Sequence, residues 1–138
     1  MDPERDRGSV ALEAAIIAPG LIFLLCLVIA YGRIMLAGGT VEAAARAAAR
    51  EASLARNPAE AKARAAAAAE SSLAELRCTS TAVDVDTSGF AVPAGQIASV
   101  KATVSCTVGL SDLALPGLPG TKTMDATFTS VLDRYRSR

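Results

Sequence analysis

The chain has 138 residues, equal numbers of acidic and basic side chains, no His and no Trp. That length holds one domain beside a membrane segment, and zero net charge draws the protein neither to nucleic acid nor to acidic partners. Two Tyr and three Phe are too few to build a base-stacking surface, so no nucleic-acid role is expected.

The first residues, Met1 to Arg7, form a short polar leader that is not expected to fold. Its Arg5 and Arg7 would hold the leader at the cytoplasmic face of a membrane. The stretch Arg7-Gly8-Ser9-Val10-Ala11-Leu12-Glu13 then leads into nineteen uncharged residues, Ala14 to Gly32. As a helix this run is about 28 Å long, close to the hydrocarbon thickness of a bilayer. Pro19 and Gly20 interrupt it, which lipid-embedded helices tolerate; Pro19 removes a backbone donor and allows a kink. No A-x-A site follows, so cleavage as an ordinary secretory signal is the weaker reading.

Beyond Arg33, the adjacent Gly38 and Gly39 predict a soft joint before a stem helix over Val41 to Arg56. Val41, Ala44, Ala45, Ala48, Ala52 and Ala55 form a stripe of small apolar residues along it. The stripe suits close packing against sister subunits or against the chain's own globular part. Glu42 and Arg46 stand at the i,i+4 spacing of a weak ion pair. Asn57 predicts a cap for a second helix with Pro58 at its first position, running to about Arg77. Glu60 and Arg64 again have ion-pair spacing.

After Cys78 the apolar period changes to alternation. Val83 and Val85 alternate with Asp84 and Asp86; Val100 to Val108 alternate with Lys101, Thr103, Ser105 and Thr107; Met124 to Leu132 form a third set. Ser88-Gly89 and Pro93-Ala94-Gly95 mark a hairpin connection, and the segment from Leu115 to Gly120 a loop. The pattern predicts a three-stranded antiparallel meander whose apolar face needs a cover, with the second helix the nearest candidate. Of three cysteines, Cys26 lies in the apolar run and reads as a small hydrophobe. Cys78 and Cys106 are the candidate disulfide, which needs an oxidising compartment and so points the C-terminal part outward. Strict alternation sets Cys78 on the opposite face from Val83, a conflict that a bulge or a position at the helix end would remove.

No His-based triad or His metal site is possible, and no C-x-x-C pair, phosphate loop or dinucleotide fingerprint occurs. Asp84 and Asp86 read as a solvated strand face. No catalytic residue, metal or cofactor is expected, and the chain does not read as an enzyme.

The run RGSVALEAAIIAP resembles the class III signal of type IV pilins and pseudopilins. It is most similar to TadE-like proteins of the tight-adherence (Flp) pilus system. Pro19, the exit Tyr31-Gly32-Arg33 and the Ala-rich helix from Ala44 to Arg50 extend the resemblance over about residues 5–56. It implies a prepilin peptidase that cuts between Gly8 and Ser9 and leaves Glu13 fifth in the mature chain. A carboxylate at that depth is costly unless partnered. In a filament of stacked helices the α-amino group of Ser9 in one subunit would pair with Glu13 of its neighbour. The competing reading makes Glu13 a helix-start residue that suits the dipole, with Ser9 as its N-cap.

The expectation is therefore a membrane-anchored α+β protein. Residues 1–8 form the cytoplasmic leader, 9–37 the transmembrane helix, 38–77 a helical stem and 78–138 a small extracytoplasmic β-rich domain. The resemblance implies a minor pilin or pseudopilin that takes part in pilus assembly. Its partners would be membrane lipid, the prepilin peptidase and other pilin or Tad-system subunits. The rivals are an uncleaved, signal-anchored accessory protein presenting a binding module, and a secreted helical protein cut near residue 40.

Overall fold

A computed structural model describes residues 3–113 and 116–135, with side chains from Gly8 onward. Its elements are α1 (Pro3–Ser53), α2 (Pro58–Leu73), β1 (Cys78–Asp86), a 3-10 turn (Ser88–Ala91), β2 (Ser99–Gly109), α3 (Leu110–Leu113) and β3 (Thr121–Val131).

Helix α1 is one unbroken helix of 51 residues with Pro19 inside it. Three expectations change here. The leader backbone from Pro3 is helical and continuous with the apolar run, because extending an existing helix costs far less than starting one. Met1, Asp2 and the side chains of Arg5 and Arg7 lie outside the described residues. Gly38 and Gly39 make no joint: Ala37 and Val41 on either side are buried, and that packing holds the helix through the glycines. The stem ends at Ser53, because the chain turns there to enter α2.

Asn57 caps α2 as its spacing predicts. Its Oδ1 accepts the Glu60 N–H at 2.8 Å, and Glu60 Oε2 accepts the Arg56 N–H at 3.1 Å. One donor left free at the helix start is thereby satisfied, and the Glu60 carboxylate also holds the backbone just before the cap. Arg64 Nη2 pairs with Glu60 at 2.8 Å and Nη1 reaches Glu51 at 3.9 Å, which ties α2 back to α1. The helix ends at Leu73, short of Arg77, and Leu76 N–H closes onto the Leu73 carbonyl at 2.9 Å.

The strands form one antiparallel sheet in the order β1-β2-β3. The connection after β1 is tight: a Cβ at Gly89 would collide with the Ser99 carbonyl, so only glycine allows that approach. The inward side of β2 is Val100, Ala102, Val104, Cys106 and Val108, all buried. On the outward side Thr103 and Thr127, and Thr107 and Thr123, share hydroxyl hydrogen bonds of 2.9 Å.

The cover of this sheet differs from the expectation. The C-terminal half of α1 lies across β2 and β3, while α2 packs on α1 and reaches β1. Fully buried Ala44, Ala48, Ala49 and Ala52 of α1 and Ala61, Ala65 and Ala69 of α2 let the helices approach closely, as small side chains do. The alanine stripe is thus used within the chain. Phe128 stays 39% exposed although its parity points inward.

Candidate functional site

Only residues after Ala30 of α1 enter the core. Before it, Val10, Leu12, Ile16, Ile17, Leu21, Ile22, Phe23 and Leu24 are all more than half exposed, Ile16 to 72%. None of the other described residues covers this stretch, which is an unusually large apolar surface to leave open. Among the described residues α1 is the one helix long and apolar enough to cross a membrane.

Gly8, Ser9 and Glu13 all lie at the exposed start of this rod. Nothing stands within 4 Å of where a Cβ on Gly8 would be, so the chain itself does not require glycine there. Ser9 and Glu13 are four residues apart, hence on one face a turn apart. Because α1 already runs through Ser9 from Pro3, Ser9 is not a helix cap in the uncut chain. The Glu13 side chain makes no hydrogen bond or ion pair with the other described residues.

Residues 8–50 match the family model of TadE-like proteins. The N-terminal helix is TadE-like. No curated protein and no solved structure matches the chain. The matched segment opens at Gly8 and closes at Arg50, three residues before α1 ends. It comprises the uncovered apolar rod and most of the alanine stripe; α2 and the sheet lie beyond it.

Cys78 and Cys106 are joined by a disulfide, and Cys26 is a free cysteine within the rod. The structure has the bulge that the conflict of faces called for: the register of β1 against β2 shifts between Cys78 and Ser80, which turns Cys78 inward. Asp86 accepts the Ser88 N–H at 3.0 Å. That backbone bond, foremost, holds its carboxyl below the ordinary range, with Lys101 nearby adding to the effect. This is a turn-stabilising role, and Asp84 is exposed on the same outward face. Among the described residues no cluster of His, Cys, Asp and Glu could hold a metal ion.

Two features escaped the sequence. Arg46, expected to pair with Glu42, lies over the Phe128 ring at 5.3 Å from its centroid; a guanidinium over an aromatic face is attractive. Nothing local in sequence joins a stem arginine to a β3 phenylalanine. The second feature is an open cavity of about 560 Å³ where the rod meets the head, lined by Arg33, Leu36 and Thr40 of α1, Ser72 and Glu75 at the end of α2, and Asp112 of α3. Its members come from three elements distant in sequence, so no motif announces it.

Proposed function

We propose that the chain is a minor pilin (pseudopilin) of the tight-adherence system, cut between Gly8 and Ser9, anchored by α1 and presenting its head outside the membrane. The observation that carries this reading is the form of α1: a TadE-like helix whose apolar first half is bare while its second half is built into a head. A bare rod of this kind suits two successive environments, the bilayer before assembly and a bundle of sister helices after it. The Cys78–Cys106 disulfide supports an oxidising, outward location for the head. Glu13, one helical turn from Ser9 and without a side-chain partner among the described residues, supports a carboxylate whose partner comes from a neighbouring subunit.

Because α1 uses its alanine stripe within the chain, subunit contacts fall to the bare N-terminal half. The protein then primes or adjusts assembly through the rod and leaves the outward sheet face and tip for other contacts. The peptidase, membrane lipid and other Tad-system subunits are its partners in this reading.

Determination of the mature N-terminus tests it directly. A start at Ser9 is expected, and Gly8→Val should leave a product longer by the leader, because a side chain at that position blocks the peptidase. An intact N-terminus on mature wild-type protein would instead establish an uncleaved anchor, which the helical continuity from Pro3 through Ser9 also accommodates. Normal maturation of Gly8→Val would overturn the assignment of the cleavage site.

A further inference from the structure

The cavity between rod and head occupies a defined level. The uncharged apolar run of α1 is exposed up to Tyr31, Arg33 is its first charge, and Met35 and Leu36 stay exposed just beyond; Tyr and Arg at the end of such a run mark the bilayer–water boundary. Arg33 itself lines the cavity, so the cavity opens at headgroup depth. Its wall carries one guanidinium, from Arg33, and two carboxylates, Glu75 and Asp112. The ion pairs among the described residues are both made by Arg64, so these three charges line one cavity without pairing with each other or with another side chain. Two of the three hydroxyls on the wall are already engaged as donors: Thr40 Oγ1 donates to the Leu36 carbonyl at 3.1 Å and Ser72 Oγ to the Ala68 carbonyl at 2.9 Å, while Ser71 is the third. Those two offer only lone pairs outward. The wall's charges therefore set one cationic donor at the rod against two carboxylate acceptors under the head, beside the exposed Leu36 side chain.

We propose that this cavity binds a phospholipid whose headgroup carries a phosphate and a primary ammonium, as in phosphatidylethanolamine. The phosphate faces Arg33, the ammonium donates to Glu75 and Asp112, and the acyl chains run down the bare flank of α1. A quaternary ammonium has no N–H to donate to these acceptors, and a purely anionic headgroup meets two carboxylates, so the wall discriminates against both. Such a lipid would seat the head against the membrane at a fixed height. The proposal rests on the reading of α1 as a membrane anchor.

Full-length protein is mixed with vesicles of equal phosphatidylethanolamine, phosphatidylcholine and phosphatidylglycerol, and its flotation is scored first. Failure to float overturns the anchor reading and the lipid site with it. Protein that floats is extracted in mild detergent, and the lipids it retains are counted by native mass spectrometry. The expected result is enrichment of phosphatidylethanolamine by about threefold over each of the others, the worth of one partly hydrated ion pair. Glu75→Gln with Asp112→Asn should abolish that preference and raise retention of phosphatidylglycerol, whereas Lys101→Gln on the outward sheet face should leave the order unchanged. Insertion with equal retention of the three lipids, or a preference that survives the double variant, overturns the headgroup site and leaves the anchor standing.

Discussion

Cys78 is disulfide-bonded to Cys106, with 5.5 Å between their Cα atoms, although the strand ladder sets Thr81 opposite Cys106 and Val108 opposite Cys78. The bond is diagonal, and the extra residue in β1 makes it possible. Thr79 Oγ1 donates to the Thr107 carbonyl at 3.0 Å and holds the bulge. The bond also ties the end of the helical hairpin to the central strand, next to the boundary between rod and head.

Removal of this bond should weaken the head more than any surface change. A bridge between cysteines 28 residues apart contributes about 3–4 kcal/mol in the chain-entropy model, and the alanine-rich core has little to spare. Cys78→Ser with Cys106→Ala is expected to lower the urea midpoint by a corresponding amount. Thiol labelling of exported wild-type protein should modify Cys26 alone until reductant is added. Labelling of all three cysteines without reductant would contradict both the bridge and the outward orientation of the head.

Gly38 and Gly39 lie inside α1, and nothing stands within 4 Å of a Cβ on either. If they serve only as helix residues, Gly39→Ala should stabilise the head by about 0.5–1 kcal/mol. Chemical denaturation followed by far-ultraviolet circular dichroism reads this. A loss of stability would mean that a neighbouring subunit or a bend occupies that space.

The start of α2 should respond to pH. Glu60 is held below the ordinary carboxylate range, first by the Arg56 N–H that it accepts; desolvation opposes this, and the Arg64 guanidinium adds to the lowering. A lowered carboxyl contributes stability that is fully present above its unfolded value and is lost as pH falls through the folded one. The head should therefore lose stability on acidification below the ordinary glutamate range, and Glu60→Gln should flatten that part of the curve. Asn57→Ala removes the cap itself and should cost about 1 kcal/mol at neutral pH. An unchanged pH profile in Glu60→Gln would assign the acid response to other carboxylates.

Glu13 separates the two accounts of the rod. If it only suits the helix start, Glu13→Ala should cost at most about 1 kcal/mol locally and leave subunit association unchanged. If it meets the Ser9 amine of a neighbour, the variant should still be cut and inserted but should associate less, with a penalty of about 3–5 kcal/mol where burial is complete. Glu13→Gln should fall between. Cross-linking of mature protein to other pilin subunits, with the N-terminus verified as Ser9, is the measurement.

Much of the head was legible because its signals are local. Asn57-Pro58 is a cap and a first-turn proline within two residues. The alternation of Val100 to Val108 is the period of a half-buried strand. The parity conflict at Cys78 was arithmetic on the same alternation; of its two resolutions, a bulge or a position at the helix end, the structure has the bulge. Arg46 on Phe128 and the cavity at Arg33 were not legible, because each joins residues brought together by the packing of α1 on the sheet. Gly8, Ser9 and Glu13 stand out in the sequence as a pattern, and the structure adds that they lie exposed at the start of the rod.

The sequence alone determined the kinds of elements and their order: a long apolar helix, a capped second helix and three alternating strands with two cysteines placed to join. These follow from propensity, spacing and parity within a few residues. Tertiary structure decided where α1 stops being a bare rod and becomes core. The alanines from Ala44 to Ala52 suit a sister helix, a solvent-facing stalk or a sheet equally well, since a small side chain carries little information about what covers it. Only when β2 and β3 pack against them does one of these become the structure. The same packing carries the helix through Gly38-Gly39, which propensity alone would have broken.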